Sequence, residues 1–190
     1  MATQHNRRGR FLATALCVYG LVTLSAPQHC AAAEPPLEYQ VKAAFLLNFT
    51  KFVEWPPSAF ADSASPFTIC VLGKDPFGRA LDDLIQGESF NNRKLALQRI
   101  SDIPAPQTCQ LLFLDVMGKD IHTVLNSLGP GVLTVGDGET FLRDGGMIAF
   151  VIENRRVRFD INQSGANAAG LKLSSKLLSV ARSVRNETSR

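Results

Sequence analysis

The first strong pattern along the chain is a helical one. Apolar side chains recur every fourth residue, as they do on one face of an α-helix. These positions are Leu37, Val41, Phe45 and Phe49. The stripe predicts an amphipathic helix with its apolar face in the core and with Glu38 and Lys42 away from that face. We expect the helix to end before Trp55-Pro56-Pro57, because proline cannot donate the next helical hydrogen bond.

The middle of the chain alternates short apolar runs with helical segments. Four runs are predicted strands, at residues 66–73, 93–100, 111–115 and 132–135. The runs at 111–115 and 132–135 are mainly apolar, as in a parallel sheet that is covered on both faces, and the run at 93–100 alternates. Two segments between the runs, residues 77–85 and 120–127, have helical spacing. This alternation is typical of an α/β sheet.

The last part of the chain is predicted to contain a hairpin and a long helix. Residues 147–153 and 156–162 form two predicted strands, joined by a tight turn at Asn154-Arg155. Apolar residues at helical spacing predict one continuous helix over residues 165–185. The predicted fold class is therefore α/β, with a mostly parallel sheet of about six strands, helices on both faces and the hairpin at one edge.

The N-terminal segment has the three parts of a secretory signal peptide. They are the basic residues Arg7, Arg8 and Arg10, an apolar run over residues 11–25, and Ala31-Ala32-Ala33 as a cleavage site. We predict a signal peptide at residues 1–33 and a single domain at residues 34–190. The apolar run is too short for a membrane-spanning helix, which needs about 20 apolar residues.

Removal of this segment makes the chain neutral. The segment carries three of the 20 basic residues and none of the 17 acidic ones, so 17 of each remain. A neutral domain has no general attraction for the phosphates of nucleic acid or for an anionic membrane. We therefore expect no nucleic-acid partner and a protein that does not itself span a membrane.

Two cysteines remain after the predicted cleavage, Cys70 and Cys109. In an exported chain such a pair is most simply a disulfide, and two buried free thiols are the alternative. Closing a loop of this length would stabilise the fold by roughly 4 kcal/mol in the chain-entropy model. Their spacing excludes a C-x-x-C redox site, and two cysteines with the one remaining histidine make a poor zinc site.

The turns that follow the predicted strands carry no enzyme signature. Ligands of open α/β sheets usually lie at the carboxyl ends of strands, which here places the turns at 73–78, 115–119 and 136–139. None of these turns has the spacing of a phosphate loop or a dinucleotide turn. G-x-S-x-G is absent, which leaves His122 as the only candidate base of a hydrolase. We expect no enzyme activity, no cofactor and no metal site.

Four segments together resemble the YfiR family. They are KAAFLLNFTKFVEWP at 42–56, VLTVGD at 132–137, FLRDGGMIAFVIENRRVRFDIN at 141–162 and ANAAGLKLSSKLLSVA at 166–181. The combination is far more specific than any single motif. The resemblance implies a periplasmic protein that represses the membrane-bound diguanylate cyclase YfiN through its periplasmic sensor region. It also implies that the outer-membrane lipoprotein YfiB sequesters the repressor, which couples cell-surface stress to cyclic-di-GMP and biofilm formation.

The resemblance further implies disulfides and a surface for partners. Cys70 and Cys109 match a family disulfide, and a second pair found among relatives is absent, because Gly145 and Ile152 stand in the hairpin region. The candidate partner contacts are Trp55, Phe60, Asn162, Leu171 and Leu173, with Arg155, Arg156 and Arg158 as a charged rim. Without a partner, the arginine group would be a solvated strand face.

Two other functions stay open at this point. A periplasmic small-molecule-binding sensor module would use the strand-end turns as a pocket. A periplasmic hydrolase would require His122. A homodimer is compatible with a neutral surface and is common among regulators.

Overall fold

The computed structural model describes residues 35–115 and 121–186. The predicted signal peptide lies outside these residues, and the described residues belong to one compact unit, residues 33–190. The helices are α1 (Leu37–Phe52), α2 (Arg79–Ile85), α3 (Ile121–Ser127), α4 (Glu139–Arg143), α5 (Gln163–Ala168) and α6 (Ser175–Val180). The strands are β1 (Val53–Glu54), β2 (Phe67–Gly73), β3 (Ser89–Phe90), β4 (Arg93–Ile100), β5 (Leu111–Asp115), β6 (Leu133–Asp137), β7 (Ile148–Glu153), β8 (Arg156–Asn162), β9 (Lys172–Leu173) and β10 (Ser183–Arg185).

The main sheet has eight strands within the described residues, in the order β10-β8-β7-β6-β5-β2-β4-β3. Strands β4, β2, β5, β6 and β7 are parallel, β7 and β8 form an antiparallel hairpin, and β10 is parallel to β8. A small second sheet pairs β1 with β9. The predicted fold class is therefore confirmed, with one difference: the hairpin is not outermost, because β10 covers the free edge of β8.

The sheet has a hydrophobic cluster on each face, so helices cover both sides as predicted. The larger cluster receives side chains from α1, α2, α5 and α6, and it contains Phe49, Phe150 and Phe159. The smaller cluster receives side chains from α3 and α4 and contains both cysteines. Cys70 on β2 is bonded to Cys109 just before β5, with their Cα atoms 5.8 Å apart. The predicted disulfide is confirmed.

Only part of the predicted apolar face of α1 is buried. The fully buried residues are Lys42, Ala43, Leu46, Phe49 and Thr50. Leu37 and Val41, predicted to lie in the core, are 74% and 37% exposed. The four-residue stripe drifts around the helix, because four residues exceed one turn of 3.6, so its first two positions leave the core face. The consequence is an exposed apolar surface on the first turns of α1.

The predicted closing helix is wrong, because residues 165–185 form two short helices and two short strands. Gly170 has a φ of +79°, in the left-handed region that ends helices, and it separates α5 from β9. The Ser174 side chain accepts a hydrogen bond from the Leu177 backbone N–H and begins α6. The helix is therefore replaced by β9, which pairs with β1, and β10, which extends the main sheet.

No helix in the described ranges combines the length and the apolar character that a membrane crossing requires.

Candidate partner-binding surface

An apolar groove lies between the first turns of α1 and the β7–β8 hairpin. We call it the α1–hairpin groove. Its lining residues are Leu37, Glu38, Val41 and Phe45 on α1, and Ile152, Arg155, Arg156 and Val157 on the hairpin. Its volume is about 520 Å³. The groove combines an apolar floor with a charged margin.

The hairpin wall of the groove follows from a two-residue turn. Asn154 and Arg155 have φ values of 50° and 60°, as a type I′ turn requires, so the tight turn predicted at these residues is confirmed. The turn places Ile152 directly across from Val157. Alternation along both strands then puts these two side chains on the sheet face that α1 covers. Arg155, in the turn itself, also lines the groove.

The floor of the groove is continuous with the core. The ring of Phe45 lies 6.0 Å from that of Phe150 and 5.4 Å from that of Phe159. Phe49, one turn further along α1, also stacks against Phe150. Such aromatic contacts fix α1 against the hairpin, so the two walls of the groove are held apart at a set distance without a partner.

Three exposed apolar side chains meet in this groove. Leu37 is 74% exposed, Val41 37% and Ile152 52%. Within the described residues the large hydrophobic side chains exposed to this degree number five, the others being Ile103 and Val180. Single exposed apolar residues are normal on a protein surface, but their concentration in one groove marks an interaction site.

A buried lysine fixes α1 beside this groove. The Lys42 side chain is only 4% exposed, and its Nζ lies 2.5 Å from Glu38 Oε1 and 2.9 Å from Asp137 Oδ1. It also lies 4.4 Å from the centre of the Tyr39 ring, whose hydroxyl donates to Asp137. Burial lowers the pKa of Lys42, but the bonds to both carboxylates outweigh burial, so the pKa is raised. Lys42 is therefore a charged anchor between α1 and the end of β6.

A second ion cluster ties the end of the chain to β8. Arg182 Nε donates to Asp160 Oδ1 at 2.8 Å, and the Arg182 guanidinium also binds Asp160 Oδ2 and Glu139. Asp160 is 1% exposed. Burial raises the pKa of Asp160, but hydrogen bonds from Arg182 and Ser183 outweigh burial and hold this pKa below its usual range. The pair secures β10 against β8.

The predicted contacts Trp55 and Phe60 lie at the opposite end of α1 from the groove. That helix is about 24 Å long at 1.5 Å per residue. Trp55 Nε1 donates to the backbone oxygen of Gln110 at 2.9 Å, and its ring meets that of Phe67 at 4.7 Å. Arg93 stacks 3.9 Å above the Phe60 ring. Both side chains are half-buried against the core, so each has a structural role, and partner binding there stays a prediction.

The predicted contacts in residues 162–173 have structural roles as well. The Asn162 side chain caps α5 by accepting a hydrogen bond from the Gly165 backbone N–H at 3.0 Å. Leu171 is buried in the larger cluster, and Leu173 is half-buried on β9. The structure does not bring these residues to the α1–hairpin groove.

Only part of the predicted arginine rim borders the groove. Arg155 and Arg156 line the groove. Arg158 lies across from Val151, on the strand face opposite the Ile152–Val157 pair. Two of the three predicted arginines thus share a surface with the exposed apolar residues.

Aspartates in two of the strand-end turns make internal contacts. Asp75 accepts a hydrogen bond from the Phe77 backbone N–H and pairs with Arg99, and Asp137 binds Lys42. Most of the turn at 115–119 lies outside the described residues. His122 is exposed and lies 3.4 Å from Asp144. No group of three potential metal ligands occurs among the residues that the structure describes.

Two residues that organise this surface were missed by sequence reasoning. The charge of Lys42 predicts a position off the buried face, although Glu38 four residues earlier is the usual sign of a helical ion pair. Gln110 was not singled out at all. It is buried, its Oε1 accepts from the Thr68 backbone N–H at 2.8 Å, and its Nε2 donates to the Ala59 oxygen at 2.7 Å. No sequence signal marks such a residue, because its partners are distant in the chain.

Comparison with known families gives one clear result. Residues 39–182 match the model of a family described as YfiR/HmsC-like. The match includes every strand of the main sheet except β10, and most of the α1–hairpin groove. A comparison with curated proteins finds no significant match. Because the family match extends over most of the chain, the protein belongs to the YfiR/HmsC-like family, whose membership indicates a periplasmic regulator of the cyclic-di-GMP pathway.

Proposed function

We propose that the protein is a periplasmic negative regulator that binds the periplasmic sensor region of a membrane diguanylate cyclase of the YfiN type and represses it. An outer-membrane lipoprotein of the YfiB type sequesters the regulator and releases the cyclase. The observation that carries this proposal is the family match over residues 39–182. The activity is not catalytic: the chain acts by occupying a surface of its partner.

The surface chemistry supports a binding role. A regulator of this kind needs a preformed apolar surface with a polar margin, and the α1–hairpin groove has Leu37, Val41 and Ile152 exposed beside Arg155 and Arg156. The disulfide supports function in an oxidising compartment such as the periplasm.

Repression follows from differential binding. A regulator shifts a two-state cyclase only by as much as its affinity differs between the inactive and active arrangements of the sensor region. Each tenfold preference for the inactive arrangement corresponds to about 1.4 kcal/mol. A lipoprotein that binds the free regulator lowers its available concentration and so reverses the shift by mass action.

The test combines binding with a cellular readout. Purified protein is mixed with the isolated sensor region and, separately, with the lipoprotein, and complex formation is measured by titration calorimetry. Cyclic-di-GMP is measured in cells that carry or lack the regulator gene. We expect binding to both partners and a higher cyclic-di-GMP level in the deletion strain. Absence of binding to either partner, or an unchanged cyclic-di-GMP level, would contradict the proposal.

A small-molecule sensor is the second candidate, favoured by the groove volume. Ligand pockets span about 300–1,000 Å³, and the groove falls in that range at about 520 Å³. Such pockets bury most of a ligand, however, whereas Leu37 on the wall of this groove is 74% exposed. A thermal-shift screen of metabolites tests this candidate, and a saturable rise in melting temperature that is lost in Ile152→Glu would favour it.

A further inference from the structure

We propose that the α1–hairpin groove binds an amphipathic, acidic segment of a protein partner, with an apolar side chain seated between Leu37, Val41 and Ile152 and carboxylates paired with Arg155 and Arg156. The inference rests on the proposed function and specifies the chemistry of the partner's contact segment.

The apolar part of the argument concerns shape. Leu37, Val41 and Phe45 on α1 line the groove together with Ile152 of the hairpin. A groove between a helix and a hairpin, open along its length, fits an extended or helical segment that inserts spaced apolar side chains. The floor is already packed against Phe150 and Phe159. Little ordering of the groove is therefore needed when a partner binds, which favours affinity.

The charged part of the argument concerns the two arginines. Neither the Arg155 nor the Arg156 side chain makes a hydrogen bond or an ion pair with the residues that the structure describes. Glu153 lies across from Arg156 in the strand register, yet no ion pair joins them. Glu38, the acidic residue of the groove lining, is neutralised by Lys42 at 2.5 Å. The margin of the groove is therefore positive, and guanidinium groups are the donors best suited to carboxylates.

The backbone at Arg155 adds an independent indication. A φ of 60° is the left-handed region, which strains a residue with a Cβ and which glycine adopts freely. Asn-Gly is the favoured sequence for this turn, and here arginine occupies the glycine position. Residues held in strained conformations cluster at binding sites. Arginine therefore occupies a turn position where glycine would be less strained, and it lines the groove there.

The same feature provides a variant that separates binding from folding. Arg155→Gly removes the guanidinium and relieves the left-handed strain. Its melting temperature should stay within about 2 °C of the parent protein. Its affinity for the cyclase sensor region should nevertheless fall, with a dissociation constant at least about threefold higher.

The experiment measures binding of purified full-length processed protein to the periplasmic sensor region of its cyclase, by calorimetry at low and high salt. We expect Ile152→Glu and Arg156→Glu each to weaken binding at least about tenfold. Raising the salt concentration should weaken binding of the parent protein and have less effect on Arg156→Glu, because screening acts on the charge pairs. Hydrogen-exchange protection on complex formation should include the first turns of α1 and the hairpin turn.

Matched controls come from β4 and the segment after it. Ile103 is 42% exposed, which is close to the 37% of Val41, and Lys94 is exposed on β4. β4 lies five strand positions from β8, which corresponds to about 24 Å. Ile103→Glu and Lys94→Glu should leave the dissociation constant within about twofold of the parent value.

The outcomes separate this inference from the proposed function. If the parent protein binds the sensor region and the groove variants bind it equally well, the acidic-segment inference is overturned, whereas the proposed function as a regulator stands. Failure to bind either the sensor region or the lipoprotein would overturn both. Two other occupants are tested in parallel. If analytical ultracentrifugation shows a dimer that Ile152→Glu abolishes, the groove binds a second copy of the chain. If the protein binds anionic lipid vesicles and Arg156→Glu abolishes this binding, the groove binds a membrane. Either result would overturn the inference.

Discussion

The ammonium of Lys42 lies 2.9 Å from the carboxylate of Asp137 and joins the first helix to the end of a central strand. The arrangement is asymmetric. The lysine side chain is 4% exposed, whereas the side chains of Asp137 and Glu38 are 38% and 40% exposed. Water can therefore solvate either carboxylate if the lysine is removed, but it cannot reach the lysine if a carboxylate is removed.

This asymmetry predicts an unusual order of mutational effects. Asp137→Ala leaves a buried ammonium with one carboxylate and should destabilise the fold by about 2 kcal/mol. Lys42→Met keeps the buried apolar stem and should cost less than about 1 kcal/mol. Urea unfolding of both variants checks the order. An equal or larger loss in Lys42→Met would contradict the assignment of Lys42 as the buried member that needs its partners.

Gln110 is predicted to be among the most sensitive polar positions. Gln110→Ala leaves the Thr68 N–H and the Ala59 oxygen without their side-chain partner in the core, and should destabilise by about 2–4 kcal/mol. Gln98→Ala, at an exposed position on β4, should change stability by less than about 0.5 kcal/mol. Trp55 is the one tryptophan of the chain and contacts Gln110 directly, so its fluorescence reports the transition. Equal losses in the two variants would refute the role of Gln110.

The disulfide should contribute a large share of the stability. Cys70 and Cys109 are 39 residues apart in sequence, and cross-linking a loop of that length constrains the unfolded chain by about 4 kcal/mol. The double variant Cys70→Ala/Cys109→Ala should lose about that amount in urea unfolding. Thiol alkylation followed by mass spectrometry should find no reactive cysteine in the oxidised mature protein. Two alkylated cysteines without prior reduction would show that the bond is absent.

The Asp160–Arg182 pair predicts a dependence of stability on acid. The pKa of Asp160 is held below its unfolded value of about 3.9, so the folded state binds the proton more weakly than the unfolded state. The stabilisation is complete above that unfolded pKa and is lost as the pH falls through the lower folded pKa. In Asp160→Asn the free energy of unfolding should therefore decrease less steeply below about pH 4 than in the parent protein.

Asp83→Asn is the control for this measurement, since Asp83 is exposed on α2. Thermal unfolding between pH 7 and pH 2 compares the two variants with the parent protein. If Asp160→Asn and Asp83→Asn followed the same pH profile, the pair would not be the source of the acid dependence.

The fold could be predicted from the sequence where the pattern is strong. The apolar runs that became β2, β5 and β6 are continuous, and a central strand of a parallel sheet has little alternative to that composition. The hairpin was predictable because Asn154-Arg155 separates an apolar run from an alternating one. The disulfide was predictable because only two cysteines follow the predicted signal peptide.

The end of the chain could not be predicted because local and tertiary preferences conflict there. Leucines at helical spacing favour a helix over residues 165–185, but Gly170 turns the chain and Leu171 is buried against the sheet. The pairing of β9 with β1 and of β10 with β8 supplies hydrogen bonds that spacing in sequence does not reveal. Tertiary contacts therefore override helix propensity in this segment.

The candidate surface was predictable only in part. Charge alone indicates Arg155 and Arg156 as surface residues, whereas the four-residue spacing predicts Leu37 and Val41 in the core. In a helix with 3.6 residues per turn, each step of four residues rotates the side chain by about 40° beyond a full turn. The deviation is small over one step and about 120° over three. Using a period of four therefore places Leu37 and Val41 in the interior, and the groove that they line is not predicted.

The position of Leu37 at the first turn of α1 decides where a purification tag can be attached. A purification tag fused directly before Pro35 would begin within about 10 Å of Leu37, since two or three extended residues span no more than that. The tag could then cover the groove and imitate a partner. Arg185, at the end of β10, is paired with Asn162, at the end of β8 away from the hairpin turn. A tag placed after that strand starts about 20 Å from Arg156 at 3.3 Å per residue, and leaves the groove accessible to titration.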